Sequence, residues 1–430
     1  MEGGAMFKNH PRGMITIFFT EMWERFGFYI LMAVLVLYMD KEFHWPDAKK
    51  GDYYGLFLGA VYFLPILGGW LGDKVFGMVR SIKVGAIIMA AGFVMLGLSS
   101  VDRIFLFPLG LGFIAFGTGI FKVNISVMVG NLYEDKPELK DAGYNIYYMG
   151  VNLGAAIAPL AATAISAYFH SYRISFWAAA IGLIGAYIIF TLGQNQYKHL
   201  DNYHRRNDAD MKEKKSQMDP AEKKDRILTL IILFVIVIFF WLAFYQNGFA
   251  MTLFAERSTI HSKILRPETY QFFNPFFILV LTPLLVGFFQ RLNQKEKEPS
   301  TPMKIFIGMI IMSMAMLVMV LASYLGGNLD KNIMSPLWLI GSYFLVTLAE
   351  INISPMGQSY VSKVAPSDWQ GVMMGLWFGA IAMGSYGSGL LGKFYSDMPH
   401  HMYFLLLTGI LLFSAVLVLL AMKKLKRYAG

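Results

Sequence analysis

FFTEMWERFGFYI, Phe18 to Ile30, places Glu21, Glu24 and Arg25 inside a run from Met14 to Tyr38 that is otherwise almost wholly apolar. A run of this length spans the roughly 30 Å hydrocarbon layer at 1.5 Å per residue. A charge at the bilayer centre costs about 2.5 to 3.5 kcal/mol, so three of them in one helix demand a partner or a use. Glu21 and Arg25 are four apart and Glu21 and Glu24 three apart, so all three leave the helix on one side. That side cannot face lipid; it faces other helices. The stretch therefore predicts a bundle of membrane-spanning helices around a polar interior.

The rest of the chain agrees. Of its 430 residues 56% are hydrophobic and 15% charged, where an average soluble domain carries about a quarter charged. Apolar runs recur at 14–38, 53–72, 82–99, 104–130, 143–168, 174–193, 227–247, 268–291, 303–326, 335–362, 370–394 and 401–422. The reading is an all-α membrane protein with twelve transmembrane helices. Cysteine is absent, which excludes disulfides and thiolate metal sites. His400 and His401 are adjacent, cannot share a helix face and have no carboxylate triad in the sequence around them, so no metal site is expected. No Ser/His/Asp set converges on the interior either, so an enzyme is not expected.

The polar segment 194–226 divides six spans from six, giving expected units 1–193 and 227–430. Its many Lys and Arg, with those of the tail KKLKR, put the linker and both termini on the cytoplasmic side. The net charge of +9 follows from that topology; nucleic acid is not an expected partner, and no obligate protein partner is inferred. The halves also echo each other. KVNIS, Lys122 to Ser126, in the fourth span matches EINIS, Glu350 to Ser354, in the tenth, so Lys122 and Glu350 hold equivalent positions with opposite charge. The plain alternative to function is that Glu21 or Glu24 pairs with Arg25, and Lys122 with Glu350, merely to fix helix packing. Two acids beside one arginine leave a carboxylate over, and such a group can exchange a proton. GSGLLGKF, Gly387 to Phe394, fits a dinucleotide pattern and most of a phosphate loop, but it lies in a span with no preceding strand; close packing through small residues explains it better.

Several segments resemble a known group. GGWLGDKVFGMVR, Gly68 to Arg80, looks like the loop signature of the major facilitator superfamily. FKNHPRG before EMWERFGFY, GTGIFKVNISVMVGNLY, YYMGVNLGAAIAP and LAEINISPMGQSYVSKVAP followed by QGVMMGLWF are similar to the proton-dependent oligopeptide transporter family. The resemblance covers the whole chain. It implies the major facilitator fold, two six-helix bundles, and a proton-coupled symporter importing di- and tripeptides by alternating access across the bacterial cytoplasmic (inner) membrane. Protons would be the coupling ion and no other cofactor is implied.

By that resemblance Glu21, Glu24, Arg25 and Lys122 couple protons, Lys122 also meets the peptide carboxylate, and Glu350 receives the peptide amino group. Tyr29, Tyr62, Asn152 and Asn274 would line the substrate site, with Trp241 and Trp377 as aromatic walls; Gln246, a polar residue inside an apolar span, is a further expected substrate-site residue. The family commonly carries an arginine where this chain has Met32 and a glutamate where it has Tyr245. Their joint loss is coherent, since losing one would strand a charge. It implies a differently built outer gate, and an alternative in which the solute is a small molecule other than a peptide.

Overall fold

The computed structural model describes residues 9–202 and 218–428; the basic stretch 203–217, the middle of the expected linker, lies outside the described residues. The α-helices are α1 (Gly13–Phe43), α2 (Asp47–Phe63), α3 (Pro65–Leu71), α4 (Met78–Leu98), α5 (Leu106–Leu132), α6 (Lys140–Phe169), α7 (Arg173–Leu192), α8 (Pro220–Phe244), α9 (Ala250–Ser258), α10 (Phe273–Asn293), α11 (Thr301–Leu325), α12 (Pro336–Val364), α13 (Gln370–Gly392) and α14 (His400–Lys426). Among the described residues eleven helical segments are long and apolar enough to cross a membrane. The remaining long helix, α13, carries no charge and is diluted by glycine and serine.

Two sequence-based boundaries shift. The second span is one helical path, Asp47–Phe76, broken only where Pro65 removes an amide and α3 begins. The seventh starts at Pro220, not at 227, and continues past 247 to Ser258. Its early start follows from Asp219 and Pro220 at the helix N-terminus, and the charged first turns extend beyond the apolar stretch. Helices do not stop at the edge of the hydrocarbon.

Contacts divide the chain into two compact units. One holds the described residues up to His44 and from Ala60 to 202; the other holds Trp45–Gly59 and the described residues from 218. Within the first, α4 packs on α5 and α7, α1 on α6 and α7, and α3 on α5. Within the second, α11 packs on α12 and α14, α8 on α13 and α14, and α10 on α12. The helix pairing repeats, which is the structural counterpart of KVNIS and EINIS. The asparagine of each motif makes the same bond, Asn124 Nδ2 to the Ile120 carbonyl (2.7 Å) and Asn352 Nδ2 to that of Leu348 (2.8 Å). Asn124 also donates to the Gly68 carbonyl (3.2 Å), and a Cβ on Gly72 would overlap its side chain. This is why the loop motif needs glycine there.

Trp45–Gly59 departs from the expected unit 1–193, for identifiable reasons. Cβ atoms on Gly51, Gly55 or Gly389 would overlap backbone, so these glycines let α2 and α13 touch main chain to main chain. GSGLLGKF is thus a packing motif. Asp47 adds a bidentate pair with Arg257 (2.8 and 3.0 Å), an ion pair with Lys50 (2.6 Å) and a hydrogen bond from Ser396, while Lys393 pairs with Asp52. Tyr54 donates to the Tyr245 carbonyl at 2.7 Å.

Candidate functional site

In the first unit the candidate residues start on α1, whose Glu21, Glu24 and Arg25 are all buried. Arg25 donates through Nε and Nη2 to both oxygens of Glu24, the bidentate geometry that suits a guanidinium and a carboxylate. Glu21 is left with Arg25 Nε at 3.4 Å, and neither of its oxygens receives a hydrogen bond among the described residues. Tyr147 on α6 stands beside it. The surplus acid expected from two glutamates and one arginine is therefore Glu21. Arg25 also lies over the Phe28 ring at 5.1 Å and within electrostatic reach of Tyr29.

Lys122 projects from α5 toward this cluster, within electrostatic reach of Glu21, Glu24 and Arg25. Its Nζ lies 5.4 Å from the centre of the Tyr62 ring, and no described carboxylate comes within 4 Å of it. Lys122 thus forms no direct ion pair with Glu21 or Glu24, and Arg25 alone occupies Glu24. Asn152 on α6 is buried and spends its amide on its own helix, donating to the Tyr148 carbonyl at 2.9 Å.

In the second unit, taken by itself, the candidate residues lie on α8, α10, α12 and α13. Glu350 on α12 accepts from Asn274 Nδ2 on α10 at 2.8 Å and has no described cation within ion-pairing distance. The same nitrogen donates to Thr347 Oγ1 at 3.1 Å. After α8 the chain makes a tight turn, Tyr245–Gly248, before α9. The carbonyls released there are recovered: Asn247 accepts from Gln271 (2.7 Å) and from Tyr343 (3.0 Å).

Gln246 lies in this turn and is fully buried. It donates to the Ser388 carbonyl and accepts from Tyr403, both at 2.9 Å, so both ends of its amide serve the packing of α8, α13 and α14. Trp241 stacks on Tyr245 with ring centres 5.9 Å apart, and Trp377 lies wholly buried against Gly357. Met32 and Tyr245, which stand where the resemblance implies charges, are both buried. Sequence reasoning missed Tyr147, Gln271, Tyr343 and Thr347. Each is a polar residue within or beside an apolar span, and that was the only signal that could have found it.

The comparisons with known proteins are consistent over the whole length. The family model PTR2, POT family, matches residues 79–207 and 202–406. The peptide transporter YePEPT of Yersinia enterocolitica is 30% identical over 458 residues, covering 91% of this chain and 89% of that protein. Dipeptide and tripeptide permease A of Escherichia coli is 29% identical, covering 89% and 84%. A crystal structure of a mutant peptide transporter POT in complex with alafosfalin superimposes with a TM-score of 0.87 at 27% identity, covering 99% of this chain and 97% of the other. Helix pairing, motifs and overall likeness lead to one conclusion: this chain is an integral membrane protein of the major facilitator fold and belongs to the POT family.

Proposed function

We propose that this protein is a proton-coupled symporter that imports di- and tripeptides by alternating access, in a bacterial cytoplasmic membrane with both termini inside. The observation that carries the reading is a pair of charges with no direct ion-pair partner among the described residues. Lys122 has no described carboxylate within 4 Å, and Glu350 has no described cation. A peptide carries a group that suits each, a carboxylate for Lys122 and an amino group for Glu350. The relatives above that are named as peptide transporters support the same substrate class.

In this reading the proton goes to Glu21, the acid outside the Arg25–Glu24 fork. Protonation removes one negative charge from a cluster of two acids and two cations, weakening its hold on Lys122 and freeing that cation for the substrate carboxylate. Release inside reverses the exchange. One proton moved through 100 mV is worth about 2.3 kcal/mol, which supports roughly forty- to fifty-fold accumulation. The chain is a carrier, not an enzyme, and it needs no cofactor beyond the coupling proton.

The test is uptake of labelled dialanine into proteoliposomes with and without an inward proton gradient and membrane potential. Gradient-driven accumulation is expected. Folded protein that moves no peptide overturns the proposal, and the buried Met32 and Tyr245 then mark a changed solute.

A further inference from the structure

Asn274 and Glu350 are held in register by Thr347, a residue with no role so far. It lies on α12 between Tyr343 and Glu350, one turn from each, and is fully buried. Its single hydroxyl hydrogen is committed, since Oγ1 donates to the Tyr343 carbonyl at 2.8 Å. Toward Asn274 the oxygen can therefore act only as an acceptor. It accepts from Asn274 Nδ2 at 3.1 Å, and the same nitrogen donates to Glu350 Oε2 at 2.8 Å. The two amide hydrogens are thus spent on two acceptors. A flipped amide would lose both bonds and set oxygen against oxygen twice. Asn274 Oδ1 and Glu350 Oε1, meanwhile, take no hydrogen bond from any described residue.

We infer that Thr347 is a positioning residue for recognition of a substrate's ammonium group: by pinning the Asn274 amide, it leaves Asn274 Oδ1 and the Glu350 carboxylate as neighbouring acceptors for one set of N–H donors. The anchor beneath it is rigid. Tyr343, whose carbonyl orients the threonine, donates its own hydroxyl to the Asn247 carbonyl and receives Gln271 Nε2 at 3.1 Å. Supporting contacts of this kind keep a binding pair in its working geometry. The inference rests on the proposed reading in which Glu350 receives an amino group.

The test compares Thr347→Val, which keeps shape and removes the hydroxyl, with Thr347→Ser, which keeps the hydroxyl. Initial rates of dialanine uptake are measured in proteoliposomes, with a des-amino analogue, propionyl-alanine, as competitor. The valine variant is expected to raise KM for dialanine about tenfold with maximal rate nearly unchanged, the worth of one well-placed hydrogen bond. The serine variant should return KM to within about twofold of wild type, and inhibition by propionyl-alanine, which has no ammonium, should shift less than twofold. If the valine variant does not purify as a monodisperse protein, Thr347→Ala repeats the measurement. A wild-type KM in the valine variant, a fall confined to maximal rate, or an equal shift for both ligands overturns the inference alone. Absence of peptide uptake by the wild type overturns the transport reading, and the inference with it.

Discussion

Glu21 and Glu24 occupy one face of α1, yet only Glu24 grips Arg25 with both oxygens; Glu21 stands 3.4 Å from Nε with neither oxygen hydrogen-bonded. Substitution of each by glutamine should therefore give different failures. Glu21→Gln fixes the cluster in its protonated charge state while leaving the Arg25–Glu24 fork in place. Under a potential of 100 mV, accumulation by the wild type should reach roughly forty- to fifty-fold. In Glu21→Gln it should fall to equilibrium, about onefold, while counterflow exchange of unlabelled for labelled dialanine continues. Glu24→Gln instead strips a buried guanidinium of its bidentate partner. Breaking a buried pair from one side costs about 3 to 5 kcal/mol, and Glu21 nearby favours the lower end. That variant should unfold earlier in a detergent melt and lose counterflow as well as accumulation. Gradient-driven accumulation by Glu21→Gln, or equal stability loss in both variants, would refute the division of labour.

Asp47→Ala should destabilise more than Arg257→Ala, because it removes at once the carboxylate that serves Arg257, the buried Lys50 and Ser396, whereas Asp47 keeps Lys50 and Ser396 when Arg257 is removed; the costs are about 3 to 5 against 1 to 3 kcal/mol, read by thermal unfolding. Gly389→Ala should abolish transport or folding, since its Cβ meets the backbone of Gly51 and Gly55; wild-type uptake and monodispersity in that variant would remove the close crossing from the account. Gln246→Leu should lower stability by about 1 to 3 kcal/mol, by stranding the Tyr403 hydroxyl and the Ser388 carbonyl. Its KM for dialanine should stay near wild type in initial-rate uptake, and a large KM change with unchanged stability would make Gln246 a substrate contact instead.

What the sequence determined by itself is whatever depends on short stretches of chain. Apolar length and composition marked the spans, because crossing a fixed hydrocarbon thickness is a local requirement. Spacing alone put Glu21, Glu24 and Arg25 on one face, and KVNIS with EINIS announced a repeat that the helix pairing of the two units displays. Tertiary structure decided the rest. Only packing could assign Arg25 to Glu24 and leave Glu21 over, since both acids are within helical reach. Trp45–Gly59 joined the second unit through glycines far apart in the chain, at Gly51, Gly55 and Gly389. The tight turn at Tyr245–Gly248 persists because its freed carbonyls find donors on Tyr54, Gln271 and Tyr343. Thr347 looks like an ordinary helix residue until Asn274 and Glu350 are beside it. Hydropathy and periodicity are properties of one segment, whereas the partner of a buried polar atom is chosen by residues that folding alone brings near.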